Sequence, residues 1–211
     1  MKIKYLLVAA TVFSATPAMA QTFTGPRVEA QIGYQDTQFD GSVDGEEAEG
    51  QDSLKSVPYG GEVGFDVQMG NSFVVGGYAG LLFGGDKVCD ELFGNDEICA
   101  GSGRTFTIGG RAGVPIRKNG LIYGKLGYTN TRLKATYEDF DEILDSVSES
   151  GSMDGFHLGG GFEVAAGTSG VYIKGEYTYT MYNGANSAVD DVDFDADAHR
   201  HQALIGVGFR F

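Results

Sequence analysis

Tryptophan is absent, proline occurs four times and cysteine twice in 211 residues, and 15 Lys plus Arg face 29 Asp plus Glu. Two cysteines are too few for a disulfide-dense scaffold. They sit ten apart, at Cys89 and Cys99, with no Cys-x-x-Cys spacing and no His or further Cys nearby. That disfavours a redox-active dithiol and a metal pair. The formal net charge of −14 speaks against nucleic acid or an anionic surface as a partner. Beyond one short run near the start, no stretch is apolar over the roughly 20 residues that a membrane-spanning helix needs. Long helical periodicity is missing too.

What is present is glycine, at 34 residues, with 11 Tyr and 14 Phe. Glycine is at about twice its usual share, which suits many short strands joined by flexible loops. The first twenty residues read as a secretory signal. Lys2 and Lys4 form a basic start, Tyr5 to Phe13 an apolar run, and Ala18-Met19-Ala20 a small-x-small cleavage site. The expected division is a signal peptide over residues 1–20 and a single domain over 21–211, beginning at Gln21. An exported chain meets an oxidising compartment, so Cys89 and Cys99 are expected to close one loop as a disulfide. In the chain-entropy view such a clip contributes about 3 kcal/mol.

Eight windows alternate with a period of two. Their apolar members are Val28, Ala30, Ile32 and Tyr34; Val63, Phe65, Val67 and Met69; Phe73, Val75, Ala79, Leu81 and Phe83; and Phe106, Ile108, Ala112 and Val114. Then come Ile122, Leu126 and Tyr128, the weakest set; Phe156, Leu158, Phe162 and Val164; Val171, Ile173, Tyr177, Tyr179 and Met181; and Ala203, Ile205, Val207, Phe209 and Phe211. The opposite face carries every charged residue of the windows: Arg27, Glu29, Glu62, Asp66, Arg111, Lys125, Glu163, Lys174, Glu176 and Arg210. Glycines and threonines lie between them.

Two architectures give strands of this kind. A soluble sheet turns its apolar face to a core and its polar face to water. A membrane barrel turns the apolar face to lipid and the polar face inward. Connection lengths favour the barrel, because they alternate: residues 36–56, 69–72, 84–103, 115–120, 136–154, 168–170 and 183–198. Outer-membrane barrels have long extracellular loops and tight periplasmic turns. Four long and three short connections give eight strands with both termini on the periplasmic side. The expected fold is all-β, an eight-stranded antiparallel transmembrane up-and-down β-barrel. The four long connections hold 24 of the 29 acidic residues; the other five face inward beside five bases. The interior is therefore balanced, and the net charge belongs to the loops.

Three segments, Tyr123-Gly-Lys-Leu-Gly-Tyr128, Phe156-His-Leu-Gly-Gly-Gly-Phe-Glu163 and Ile205-Gly-Val-Gly-Phe-Arg-Phe211, carry a resemblance across the whole of residues 21–211. The chain resembles the small outer-membrane barrels of the opacity-type surface antigen and porin-like family, close in plan to OmpX and the OmpA membrane domain. The resemblance implies that Phe211 is the signal read by the barrel-assembly machinery. It also implies a place in a Gram-negative outer membrane. The loops match nothing in the family, and loops are where its members differ in function.

An eight-stranded barrel has an interior that side chains fill. Ten inward charges of balanced sign are expected to pair there and exclude a wide pore. Small barrels known as lipid A deacylases carry His-x-Ser with a carboxylate nearby to activate the serine. Here His157, His199 and His201 supply no such motif, and His157 is expected to face inward near Glu163 in a structural role. No catalytic residue is expected. Asp191 to Asp197 alternates carboxylates like a calcium loop, but Ala196 and Gln202 replace the Gly and Glu that such a loop requires. No metal and no cofactor is expected beyond adventitious divalent binding. Arg104, Arg132, Lys134 and Arg200 fall where strands meet long loops, at the height of lipopolysaccharide phosphates; solvated rim charges are the plain alternative. The expected role is that of a structural or surface-interaction barrel, monomeric, in contact with outer-membrane lipid and lipopolysaccharide. The alternatives are a narrow porin-like channel and, more weakly, an adhesin acting through its loops.

Overall fold

A computed structural model describes residues 23–43, 46–47, 52–84, 88–91, 97–117, 119–138, 147–189 and 192–211. The expected signal segment and its boundary at Gln21 lie outside the described residues.

Eight long strands form the wall: β1 (Gly25–Val43), β2 (Tyr59–Met69), β3 (Phe73–Phe83), β4 (Glu97–Ile116), β5 (Gly120–Glu138), β6 (Val147–Ala165), β7 (Val171–Val189) and β8 (Val192–Arg210). Each pairs antiparallel with the next, and β8 pairs back onto β1 from Arg27↔Arg210 to Val43↔Phe194, which closes the sheet. Closure leaves no open edge where the wall crosses lipid, the condition a strand must meet in hydrocarbon. At the seam the Phe211 amide donates to the Pro26 carbonyl at 3.0 Å.

The expected phase holds along the wall. None of the apolar window residues is buried inside the barrel, and Leu126 and Ile205 are each 65 % exposed. In water such exposure would be costly; against lipid it is what makes the strand fit. The outward apolar set runs from Phe156 to Val164 on β6 and from Ala203 to Phe211 on β8, the ~9–11 residues needed to cross a bilayer with tilted strands. Aromatic rings gather at both limits of this band. Tyr59 lies beside Phe83 and Tyr128 beside Phe156 toward the long-loop end, and Phe209 meets Phe211 at 4.8 Å toward the other.

The long connections differ from expectation. β1 runs on to Val43, and β5 and β6 remain paired as far as Tyr137↔Val147. β7 and β8 stay paired to Val189↔Val192, inside the expected loop 183–198. Short strands Asp52–Ser56 and Val88–Glu91 add to β1 and β4. Outside the bilayer nothing requires an apolar outer face, so the period-2 signal fades while the backbone ladder continues. Asp193, Asp195 and Asp197 consequently occupy alternate positions on β8 rather than a calcium-type loop; Asp191 lies outside the described residues.

The short turns lie at the opposite end, and they need left-handed backbone. Gly70 has φ 61° between β2 and β3, and Gly170 has φ 84° just before β7.

Candidate functional site: the barrel lumen

Inward side chains fill the barrel in three zones. At the short-turn end Phe23, Val74, Leu121 and Tyr123 pack into an apolar floor, and the Arg210 guanidinium sits beside it, 5.3 Å from the Phe23 ring centre and 4.9 Å from that of Tyr172.

Above the floor lie the ten charged residues that the strand phase turns inward, nine of them buried and Arg210 half-buried. Arg111 grips Asp66 with two hydrogen bonds, Nε to Oδ1 at 2.9 Å and Nη2 to Oδ2 at 2.5 Å, and reaches Glu163 with Nη1 at 2.5 Å. Arg210 joins the same two carboxylates at 3.0 and 2.9 Å. Lys125 bridges Glu62 and Glu176 at 2.8 and 2.9 Å. Lys174 bridges Glu29 and Glu176 at 2.5 and 3.1 Å. Arg27 ties these groups together, contacting Glu29, Glu62 at 2.9 Å and Asp66 at 3.3 Å. The ten residues thus form one connected network, and its links cross the lumen: Glu62 stands on β2, its partner Lys125 on β5.

Tyrosines complete the network. Tyr123 donates to Glu176 at 2.7 Å and Tyr172 to Glu29 at 2.6 Å. Both rings lie over inward glycines of the neighbouring strand. A Cβ on Gly161 would stand 2.6 Å from the Tyr123 hydroxyl, and one on Gly208 only 2.2 Å from Tyr172 Cζ. Here glycine is required for space.

The third zone, toward the long loops, is polar and nearly uncharged. His157 is buried between Tyr78, at 2.5 Å from Nε2, and Thr129, at 2.7 Å from Nδ1. The expected neighbour Glu163 is not its partner. Six residues along one extended strand separate the two by about 20 Å, which no side chain spans. Among the described residues the His157 ring nitrogens thus have the hydroxyls of Tyr78 and Thr129 as hydrogen-bond partners. Higher still, Gln35 donates to Ser56 at 2.8 Å and accepts from Gln202 at 3.0 Å.

The matching family model is that of the outer membrane protein beta-barrel domain, over residues 5–211. The chain belongs to that family. Barrels of the outer membrane carry short turns on the periplasmic side and long loops outside. No curated protein sequence matches it. Solved structures similar to it include Ail of Yersinia pestis, at 20 % identity over 89 % of this chain and 99 % of that one, with a TM-score of 0.47. OprG of Pseudomonas aeruginosa is similar at 18 % identity, covering 89 % and 96 %, with a TM-score of 0.44. The outer membrane protease OmpT of Escherichia coli is similar at 7 % identity, covering 95 % and 99 %, with a TM-score of 0.49.

The four expected rim cations divide. Arg104 and Arg132 are exposed on neighbouring strands of this outer-membrane barrel, and the Lys134 side chain lies outside the described residues. Arg200 is not a rim residue: it is 2 % exposed and points into the lumen. It shares the inward phase of Gln202, Leu204 and Arg210, a parity that its neighbours His199 and His201 mask. Cys89 and Cys99 stand directly opposite one another in the strand register; their side chains lie outside the described residues. Among the described residues no group of three His, Cys, Asp or Glu side chains is placed to hold a metal ion.

Proposed function

We propose that this outer-membrane barrel is a structural and surface-presenting protein without a catalytic role. Its lumen is closed by the charge network, and its dealings with the surroundings are carried by the acidic strand extensions and loops outside the membrane. The observation that carries this reading is the connected set of ten paired charges, bridged across the lumen from β2 to β5 and seated on the apolar floor. Such a network adds little to stability over an apolar filling, but it fills the cross-section that an ion would need. In the same reading Arg104 and Arg132 meet lipopolysaccharide phosphates, which guanidinium groups bind well. Cys89 and Cys99 form a disulfide, Phe211 serves as the assembly signal, the signal peptide leaves after Ala20, and the barrel works as a monomer in outer-membrane lipid.

Planar-bilayer recording tests this directly. The wild-type protein is expected to give no stable nanosiemens steps, whereas Arg111→Ala or Glu62→Ala, which remove cross-lumen links, should introduce small ones. Stable steps in the wild type, with ion selectivity altered by Glu62→Ala, would replace this reading with that of a narrow channel.

A further inference from the structure

The ten-residue network balances five carboxylates against five cations. Arg200 is an eleventh inward charge, and it is buried. Its Nη1 donates to Thr105 and Thr131 at 3.3 Å each, its guanidinium lies 5.4 Å from the Tyr182 ring centre, and among the described residues its Nε has no hydrogen-bond partner. Among the described residues it makes no ion pair. These neighbours are neutral, and an uncompensated ion removed from water costs several kcal/mol.

Arg200 lines a cavity of about 20 Å³ above the network. Among the described residues two more buried polar atoms of its wall lack partners: the Thr180 hydroxyl, which can donate to an anion, and Gln31 Oε1, an acceptor that cannot. The cavity's lower side reaches Glu62, Lys125 and Glu176, which are already bound to one another. Its size suits one or two particles as large as water and excludes any bulky organic anion. Water satisfies hydrogen bonds but does not neutralise a charge.

We propose that the cavity beside Arg200 is a binding site for a single halide ion, held by the Arg200 guanidinium and by hydroxyl donors of the wall such as Thr180. The ion enters from the extracellular end, since the network and the apolar floor close the other. Its charge balances Arg200, so that Arg200 and the ten-residue network together become neutral. The site neither requires nor implies conduction, and it stands whatever the loops bind.

Two measurements on the full-length folded protein in detergent test it. In crystals grown in sodium bromide, an anomalous bromine peak is expected within hydrogen-bond reach of the Arg200 guanidinium; water-level density with no anomalous signal there would overturn the site. Separately, the temperature at which the folded gel band is lost should rise as chloride or bromide replaces gluconate at constant ionic strength, because a ligand of the folded state stabilises it. Arg200→Gln should abolish that dependence. A midpoint that ignores the choice of anion would overturn the proposal, as would a halide effect of equal size in Arg200→Gln. Should that variant fail to fold, the bromide crystal and the wild-type anion series still decide.

Discussion

Lys125 and Leu126 are neighbours in the chain and face different solvents. The Lys125 ammonium lies 2.8 Å from Glu62 in the lumen, while Leu126 is 65 % exposed on the outer wall. Leu126→Arg should cost about 2–4 kcal/mol if the position is near the bilayer midplane. No lumen substitution should rescue it. Lys125→Leu carries no lipid-face penalty but leaves two carboxylates short of a cation. Its cost should therefore shrink when Glu62→Gln is added, a coupling expected only between groups in contact. Urea unfolding in lipid vesicles measures all five proteins: the wild type, the three single variants and the Lys125→Leu/Glu62→Gln double variant. Identical behaviour of Leu126→Arg and Lys125→Leu would mean that the strand phase is wrong.

Asp66 receives three guanidinium groups, from Arg27, Arg111 and Arg210, whereas Glu163 receives two. Removing one partner of a buried pair typically costs about 3–5 kcal/mol, because the other charge is stranded. Asp66→Ala should accordingly be the more damaging of the two alanine variants in the same unfolding assay. The reverse order would contradict the network's connectivity.

Gly208 lies beneath the Tyr172 ring. A valine there meets the ring at once, and overpacking of this kind costs about 1–3 kcal/mol. The Tyr172→Ala/Gly208→Val double variant should be more stable than the sum of its single effects implies, as read from the temperature of gel-band loss. Simple additivity would show that the ring does not occupy that space.

Cys89 and Cys99 face each other across a short pair of strands outside the membrane-spanning band. The folded protein purified without reductant should give no free thiol with a maleimide reagent and two after reduction. Because the clip acts by constraining the unfolded chain, Cys89→Ser should lower the unfolding midpoint by an amount equivalent to about 3 kcal/mol at most. Two reactive thiols before reduction would exclude the disulfide.

The wall of the barrel was legible in the sequence because lipid imposes a strict rule. Any charge on the outer face is costly, so Glu62, Arg111 and Lys174 are assigned inward from their opposite parity to the outward Val63, Ala112 and Ile173. Inside, the rule is looser. A lumen residue needs only a partner and a fitting volume, so Tyr78, Tyr123 and Tyr172 are as much at home there as glutamate, and nothing in their chemistry marks their direction. Arg200 reads as a rim residue because it falls where a strand meets a long loop. Its parity with Gln202 and Arg210 was the available signal, and it outweighs closeness to a loop. The strand extensions were hidden for the opposite reason: beyond the bilayer, Asp193 and Asp195 pay nothing for either face, so a continuing ladder reads as loop.

Electrophoresis of protein extracted from isolated outer membranes, boiled and unboiled, most directly tests a closed barrel whose apolar face meets lipid. The unboiled band is expected to run faster, and boiling to shift it to the position of the unfolded chain. A single unshifted band, with the protein recovered from the periplasmic fraction, would mean that the apolar face packs against protein and that the membrane barrel is wrong.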